Sequence, residues 1–220
     1  MIDVEVLRRF ADLATEALGA AREEIDALNV YPVPDGDTGT NMFLTMAAAR
    51  DAIRELDSDE LPVVLAAYSR GALLGARGNS GVILSQLVGA LLRGLAEDRG
   101  ISNAEAFAEG MRVAADAAYA AVGKPVEGTM LTVARAAAES AAAAAAGSPE
   151  HLADVVTAAA DGARAALART PEQLKTLRDA GVVDAGGRGL CVILDAADTA
   201  LTGRRPVEAT RQPIPQPLSG

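Results

Sequence analysis

The sequence predicts an all-α protein of about eight or nine helices, on the basis of its composition and its hydrophobic spacing. Half of its 220 residues are hydrophobic but only 3% are aromatic, so alanine, leucine and valine must fill the interior. Such a composition favours closely packed helices, because strands prefer β-branched and aromatic residues. No segment shows the alternation of apolar and polar residues, bounded by hairpin turns, that predicts a strand.

Apolar residues recur at intervals of three or four along most of the chain, which is typical of amphipathic helices. The first predicted helix extends from about Leu7 to Leu28. Six more are predicted over approximately 41–54, 58–76, 80–95, 102 onward, 128–147 and 186–202. The alanine-rich stretch 138–147 is interpreted as part of a helix that packs tightly through small side chains, and not as a low-complexity segment.

Two further helix starts are predicted where a capping residue precedes a proline. Ser148-Pro149 and Thr170-Pro171 each place proline at a first helical position, where its missing N–H costs nothing. Gly181 then suits the C-cap of a short helix. The chain is therefore predicted to hold one helical domain over residues 1–203. Residues 204–220 contain four prolines and are interpreted as a linker, which either leads to further C-terminal domains or marks where the chain was cut.

Charge and cysteine content restrict the class of protein. The formal net charge of −10 argues against binding to nucleic acid, which requires a basic face. Cys191 is the single cysteine, so no internal disulfide forms and a reducing, cytoplasmic location is predicted. No apolar run reaches the roughly 20 residues needed to span a bilayer. The oligomeric state stays open, and a homodimer is compatible with the sequence.

Four helix junctions are rich in glycine and small polar residues: 35–41, 75–81, 127–130 and 184–189. Free backbone N–H groups and the helix dipole favour anions at such helix starts, and glycine permits close approach of a phosphate. Each junction alone is equally well explained as an ordinary cap or turn. Together they predict a phosphate-binding pocket if they meet in the fold.

The sharpest candidate for a metal site is the pair Asp35 and Asp37, which flank Gly36. Both carboxylates can turn toward one hard cation, and Mg²⁺ commonly combines one or two carboxylates with substrate phosphates and water. Asn29 lies upstream and offers an amide oxygen as a third ligand. The alternative is a solvated turn with an aspartate cap.

Other nucleotide and metal motifs do not match. A calcium-binding EF-hand that began at Asp35 would need an oxygen ligand at Gly39 and a glutamate at Met46. A Walker loop would need a lysine before Ser80, where Asn79 stands. The segment 186–189 lacks the preceding strand of a dinucleotide fingerprint, and a zinc site lacks ligands, since the chain has one histidine and one cysteine.

Residues 29–42, NVYPVPDGDTGTNM, resemble the ATP-binding L-type (DhaL-like) domain of dihydroxyacetone kinases, and most closely the version at the N-terminus of bacterial fatty acid kinases. The segments 78–81, 128–131 and 184–187 follow in the order that this family predicts. The resemblance implies an antiparallel barrel of about eight helices with the nucleotide at one end. It also implies two Mg²⁺ ions held by acids: Asp35 and Asp37 match two of the three aspartates of those kinases, and Asn29 stands near the third.

The resemblance also implies roles for other residues by position. The phosphates of ATP or ADP would meet residues of the first and second junctions: Thr38, Gly39, Thr40, Asn41, Gly78, Asn79, Ser80 and Gly81. Thr129, Met130, Asp184 and Gly186 would line the ribose and adenine, and Arg178 or Arg188 would stabilise phosphate charge. For each of these residues, a helix cap or a surface charge is the alternative interpretation.

The resulting expectation is the phosphoryl-donor domain of a kinase, with a fatty acid presented by a separate fatty-acid-binding carrier protein and an acyl phosphate as product. The first alternative is the L-type subunit of a dihydroxyacetone (glycerone) kinase, with ADP as a resident coenzyme. Thr38, where those kinases often have histidine, argues against it. The second alternative is a regulatory helical module without catalytic activity.

Overall fold

The computed structural model describes residues 2–96, 100–148 and 150–204. Within these ranges the chain forms nine α-helices and no strand. They are α1 (Val4–Ala27), α2 (Thr38–Arg54), α3 (Leu61–Gly75), α4 (Gly78–Ala96), α5 (Asn103–Ala121), α6 (Met130–Gly147), α7 (Leu152–Gln173), α8 (Lys175–Ala180) and α9 (Ala185–Thr202). The all-α prediction is confirmed. The predicted linker, apart from its first residue, Arg204, lies outside the described residues.

The eight long helices form a closed ring. Each of α1 to α7 packs against the next helix along the chain, α7 packs against α9, and α9 returns to α1. Short connections between adjacent helices produce an up-and-down arrangement, so alternate connections lie at the same end of the ring. The starts of α2, α4, α6 and α9 consequently meet at one end.

Small side chains bring α6 and α7 close together. Ala141 of α6 and Ala159 and Ala163 of α7 are completely buried. A Cβ built at Gly162 of α7 would lie 2.7 Å from Cβ of Ser140 on α6. The helical, tightly packed interpretation of the alanine-rich stretch is therefore correct, because larger residues would separate the two helices.

Several helix ends agree with the capping signals. Ser102 caps α5 through a capping box with Glu105, and Gly181 ends α8 in the left-handed conformation at φ 68°. The starts of α3 and α4 differ by a few residues from the prediction: α3 begins at Leu61, and α4 begins at Gly78 rather than at Ser80.

The two helix starts predicted from proline were wrong. Ser148 is the C-cap of α6, and α7 begins at Leu152. Pro171 lies inside α7, because the Thr170 hydroxyl donates to the carbonyl of Leu167 at 2.8 Å. That carbonyl is the acceptor that the missing N–H of Pro171 would have used. Thr170 thus lets the helix continue to Gln173.

In the described ranges, no helix has the length and the hydropathy that crossing a membrane would require.

Candidate functional site

A cavity of about 630 Å³ opens at the end of the ring where α2, α4, α6 and α9 begin. The residues around it come from the connections that precede these helices and from their first turns. The predicted residues that line it are Asn29, Asp35, Asp37, Thr38, Asn41, Gly78, Asn79, Ser80, Thr129, Met130, Asp184 and Gly186. The fold therefore brings all four glycine-rich junctions to one cavity.

The acid pair lies on the connection between α1 and α2, and both carboxylates line the cavity. Gly36, between them, has a φ of 66°, a conformation that glycine adopts at little cost. The side-chain nitrogen of Asn29 donates to Oδ1 of Asp35 at 2.7 Å. Asn29 is buried while Asp35 is exposed, so a fixed amide orients a carboxylate that faces the opening.

Residues at the start of α4 whose backbone N–H groups have no helical acceptor also line the cavity. Gly81 is the first residue of α4 whose N–H donates to the preceding turn, to the carbonyl of Arg77 at 2.9 Å. The N–H groups of Gly78, Asn79 and Ser80 precede any intrahelical acceptor. These three residues line the cavity, whereas Gly81 does not. Oxygen atoms of a phosphate are suitable partners for such groups.

The start of α2 is partly occupied by a residue that sequence reasoning missed. Asp26 of α1 accepts from the backbone N–H of Thr40 at 3.0 Å and from the Thr40 hydroxyl at 2.8 Å. Both donors of Thr40 are thus used within the protein, and neither Thr40 nor Gly39 lines the cavity. Gly39 packs against Ile25, where an added Cβ would lie 2.9 Å from the Ile25 Cβ.

Asp184 links the starts of two helices. Its carboxylate accepts from the N–H of Gly187 at 2.7 Å, which caps α9, and also from the N–H of Met130 in α6. Burial raises the pKa of Asp184 to about 6, although these two N–H donors oppose that rise. The carboxylate thus connects the starts of α6 and α9. Its spacing to Gly187 in the sequence indicates the cap of α9 but not the contact with Met130.

The two predicted arginines lie apart from the cavity lining. Arg188 donates from Nε to Glu24 of α1 at 2.8 Å, and both side chains are largely buried. Arg178 is exposed on α8. Among the described residues, the lysine or arginine that does line the cavity is Lys124, on the connection between α5 and α6. Lysine at this position carried no motif signal in the sequence.

Sequence reasoning also missed the apolar part of the lining. It consists of residues from the first connection, from α4, from the end of α5, from the α5–α6 connection and from α6: Tyr31, Pro32, Val33, Val82, Ile83, Ala121, Val122, Val126 and Leu131. These residues are spread over five segments, and only the closure of the ring brings them together.

The residues present are compatible with Mg²⁺. Asp35 and Asp37 supply carboxylate oxygens at the opening, and Asn29 keeps its amide oxygen while its nitrogen contacts Asp35. In the part of the chain that the structure describes, no group of three or more histidine, cysteine, aspartate or glutamate side chains forms a metal cluster. Two carboxylates fit a metal that takes its remaining ligands from phosphates and water.

Comparison with known proteins places the chain in a family. The DAK2 domain model matches residues 32–199. The chain is 44% identical to Protein YloV of Bacillus subtilis over 199 residues, which are 89% of the chain and 36% of that protein. It is 46% identical to an uncharacterized protein of Staphylococcus saprophyticus over 179 residues, which are 81% of the chain and 32% of that protein.

A solved structure shares the fold. The crystal structure of the dihydroxyacetone kinase of C. freundii matches 91% of the chain and 35% of that protein, with a TM-score of 0.62 and 24% sequence identity. The chain thus spans about a third of the length of the curated relatives and of the solved protein that it matches. The segment that the DAK2 domain model matches, 32–199, contains every described residue that lines the cavity except Asn29 and Tyr31. The chain belongs to the DAK2 domain family.

Proposed function

We propose that the cavity binds ATP with Mg²⁺ and that the chain is the phosphoryl-donor domain of a kinase. The observation that carries the proposal is the meeting of the acid pair, Asp35 and Asp37, with the free N–H groups at the start of α4 in one cavity. The carboxylates suit a hard cation and the N–H groups suit phosphate oxygens. Both are what binding of a metal–polyphosphate complex needs.

Each part of the cavity has a distinct role in this proposal. Asp35 and Asp37 hold Mg²⁺, of which two ions are expected, and Asn29 orients Asp35 and offers its amide oxygen. A metal held there would neutralise phosphate charge, which together with positioning is what phosphoryl transfer mainly requires. Gly78, Asn79 and Ser80 donate to phosphate oxygens, while the apolar residues around Val122 and Leu131 surround the base.

The proposed acceptor is the carboxylate of a fatty acid that a separate fatty-acid-binding carrier protein presents. A carboxylate oxygen would form a bond to the γ-phosphorus as the bond to the leaving ADP breaks, and an acyl phosphate and ADP result. This choice rests on the resemblance of residues 29–42 to fatty acid kinases. We further propose a cytoplasmic location and, because the chain spans about a third of the length of its relatives, a C-terminal region that turnover also requires.

The first test is calorimetric titration of ATP with and without Mg²⁺. We expect magnesium-dependent binding by the parent chain, and a loss of at least about tenfold in affinity, roughly 1.4 kcal/mol, for Asp35→Ala and for Asp37→Ala. Asp57→Ala, which changes an exposed acid outside the cavity lining, is the matched control and should bind as the parent does. Equal affinity of the acid-pair variants and the control would refute the proposed site.

The acceptor is tested by incubating the chain with ATP, Mg²⁺ and an acyl-loaded carrier and measuring acyl phosphate. Because the chain spans a third of its relatives' length, the full-length relative YloV serves as the comparison in this assay. ADP that co-purifies and exchanges slowly would favour the resident-coenzyme alternative. Nucleotide binding without phosphoryl transfer by either protein would favour the regulatory module.

A further inference from the structure

The connection between α5 and α6 forms one wall of the cavity. Four of its residues or immediate neighbours, Ala121, Val122, Lys124 and Val126, line the opening. Among the described residues that line the cavity, Lys124 is the single lysine or arginine, whereas three carboxylates, Asp35, Asp37 and Asp184, share the lining. The connection therefore contributes one positive charge to the described lining. The other ionisable side chains of that lining are the three aspartates and Tyr31.

The Lys124 ammonium group is uncommitted. In the described part of the chain it forms no salt bridge, and its side chain is exposed. The other lysine of the chain, Lys175, pairs with Asp179 on α8, and Arg188 pairs with Glu24. Holding a lysine side chain in one rotamer costs about 1.5–2 kcal/mol of conformational entropy. An unpaired lysine at a cavity therefore adopts one conformation only when a bound ligand offsets that cost.

The wall itself is held in place. Glu127, near the end of the connection, accepts from the hydroxyl of Thr132 at 2.7 Å and from Arg135 at 3.2 Å. The Tyr119 hydroxyl at the end of α5 also lies 3.2 Å from Glu127, and the Arg135 guanidinium stacks 3.7 Å from the centre of the Tyr119 ring. This cluster ties the end of the connection, three residues beyond Lys124, to both α5 and α6.

We propose that Lys124, on the α5–α6 connection, binds the phosphate groups of the nucleotide in the cavity that the start of α4 also lines. The inference rests on the proposed function. A lysine ammonium group donates three hydrogen bonds, accepts none and binds phosphate oxygens as a point charge. A polyphosphate is the anionic part of ATP, and the arginines that the sequence offered for its neutralisation lie outside the cavity lining.

A nucleotide series tests this contact. Lys124→Ala should weaken binding of ATP and ADP with Mg²⁺ by at least about tenfold, with adenosine affected by less than about twofold, because only the phosphates carry the charge. Lys124→Arg should keep most of the affinity. Lys175→Ala is the matched control, since it removes the only other lysine of the chain from an exposed helix and should bind all three ligands as the parent does.

A labelling experiment gives a second readout, which does not depend on a variant. The chain has two lysines, so a lysine-selective acylating reagent has two side-chain targets. Mg²⁺ with ADP should slow acylation of Lys124 by at least about fivefold, because the lysine reacts only while the site is empty. Lys175 should react at an unchanged rate. Mass spectrometry of the two lysine-containing peptides measures both rates.

The outcomes separate the two proposals. If the parent binds no nucleotide, the proposed function fails and this inference fails with it. If the parent binds ATP and the Lys124→Ala variant binds it equally well, only the inference fails. An equal loss of affinity for ATP and adenosine would also overturn it, because it would show a contact with the nucleoside or a change in the wall. Far-UV circular dichroism checks that the variant is folded.

Discussion

Asp184 shows at the scale of one residue how the cavity is assembled. Its carboxylate accepts from two helix starts and is buried, so its charged form is costly to desolvate and stabilised only in part by the two N–H donors. The backbone N–H of Asp184 in turn donates to the Thr170 hydroxyl at 3.1 Å. Through these contacts the side chain and backbone of one residue connect α6, α7 and α9.

The raised pKa of Asp184 predicts a pH dependence of stability. Since the folded-state pKa of about 6 lies above the ordinary 3.8, the folded chain holds this proton more tightly than the unfolded chain. The contribution to the free energy of unfolding is therefore fully present below 3.8, falls as the pH rises, and levels off above about 6. Asp184→Asn removes this titration.

Urea unfolding of parent and Asp184→Asn at about pH 5 and about pH 7.5 measures the effect. The stability of the parent relative to the variant should fall by roughly 1–2 kcal/mol between the two values. Asp179→Asn, which changes an exposed acid of α8, is the control. Its stability relative to the parent should not change between the two pH values, apart from a small effect of losing the ion pair with Lys175. A parent that gains stability relative to Asp184→Asn as the pH rises would contradict the prediction.

Residue patterns predicted part of the site directly. Asp35 and Asp37 needed no tertiary information, because two acids across one glycine can reach the same cation. No sequence pattern predicts a role for Asp26 or Lys124, because an isolated acid in a helix and a lone lysine in a connection are common surface residues. Their roles arise from contacts with segments that are distant along the chain or around the cavity.

At the scale of elements, α6 and α7 show how small residues set a helix spacing. Gly162 faces the backbone of α6, where an added Cβ would lie 3.0 Å from the carbonyl oxygen of Ala136. Alanine is favoured over glycine in helices by about 1 kcal/mol, which opposes the effect of the collision. The backbone contact decides whether alanine at this position raises or lowers the free energy of unfolding, since a carbonyl cannot move without displacing its helix.

Gly162→Ala should therefore destabilise the protein by about 1–3 kcal/mol, because it separates two closely packed helices. Gly147→Ala at the end of α6 is the matched control: among the described residues, apart from its chain neighbours and the nearby backbone of its own helix, no atom lies within 4 Å of its added Cβ. That control should be neutral or slightly stabilising. Urea denaturation midpoints of the two variants provide the comparison, and a Gly162→Ala protein as stable as the control would refute this account of the interface.

The ends of elements were less predictable than their existence. The period of apolar residues predicts α1 closely, because the buried residues of α1 recur along one face. The bounds of α9 also agree with the prediction to within one residue. The helix start at Thr170-Pro171 was mispredicted, because the same two residues suit either a capped helix start or a helix interior in which the threonine hydroxyl takes the carbonyl that proline leaves free. The buried Thr170 hydroxyl, bound to Leu167, favours the interior.

At the scale of the whole molecule, ring closure determines where the chemistry lies. The contact between α9 and α1 joins the last helix to the first, and alternate connections then meet at one end. The cavity is thus a property of the complete ring, since its lining residues span Asn29 to Gly186. A ligand that contacts all four junctions should stabilise the entire fold.

Thermal unfolding measures this coupling. ATP with Mg²⁺ at about a hundredfold its dissociation constant should add about 2.7 kcal/mol to the free energy of unfolding. For a chain of this size the midpoint should rise by roughly 5–10 °C. Chelation of Mg²⁺ with EDTA should remove most of the rise, and Asp57→Ala should respond as the parent does. A rise that persists in EDTA would contradict the role of the metal.

The sequence by itself determined the helical class, the approximate positions of most helices, the glycine-rich junctions and the acid pair, because helical periodicity and short motifs are local properties. Only the tertiary structure decided which residues share the cavity: it placed Lys124 there, left Arg178 and Arg188 out of the lining, and used Asp26 and Asp184 to cap helices. Those outcomes depend on which helices are neighbours in the ring, and periodicity within one helix carries no information about its neighbours.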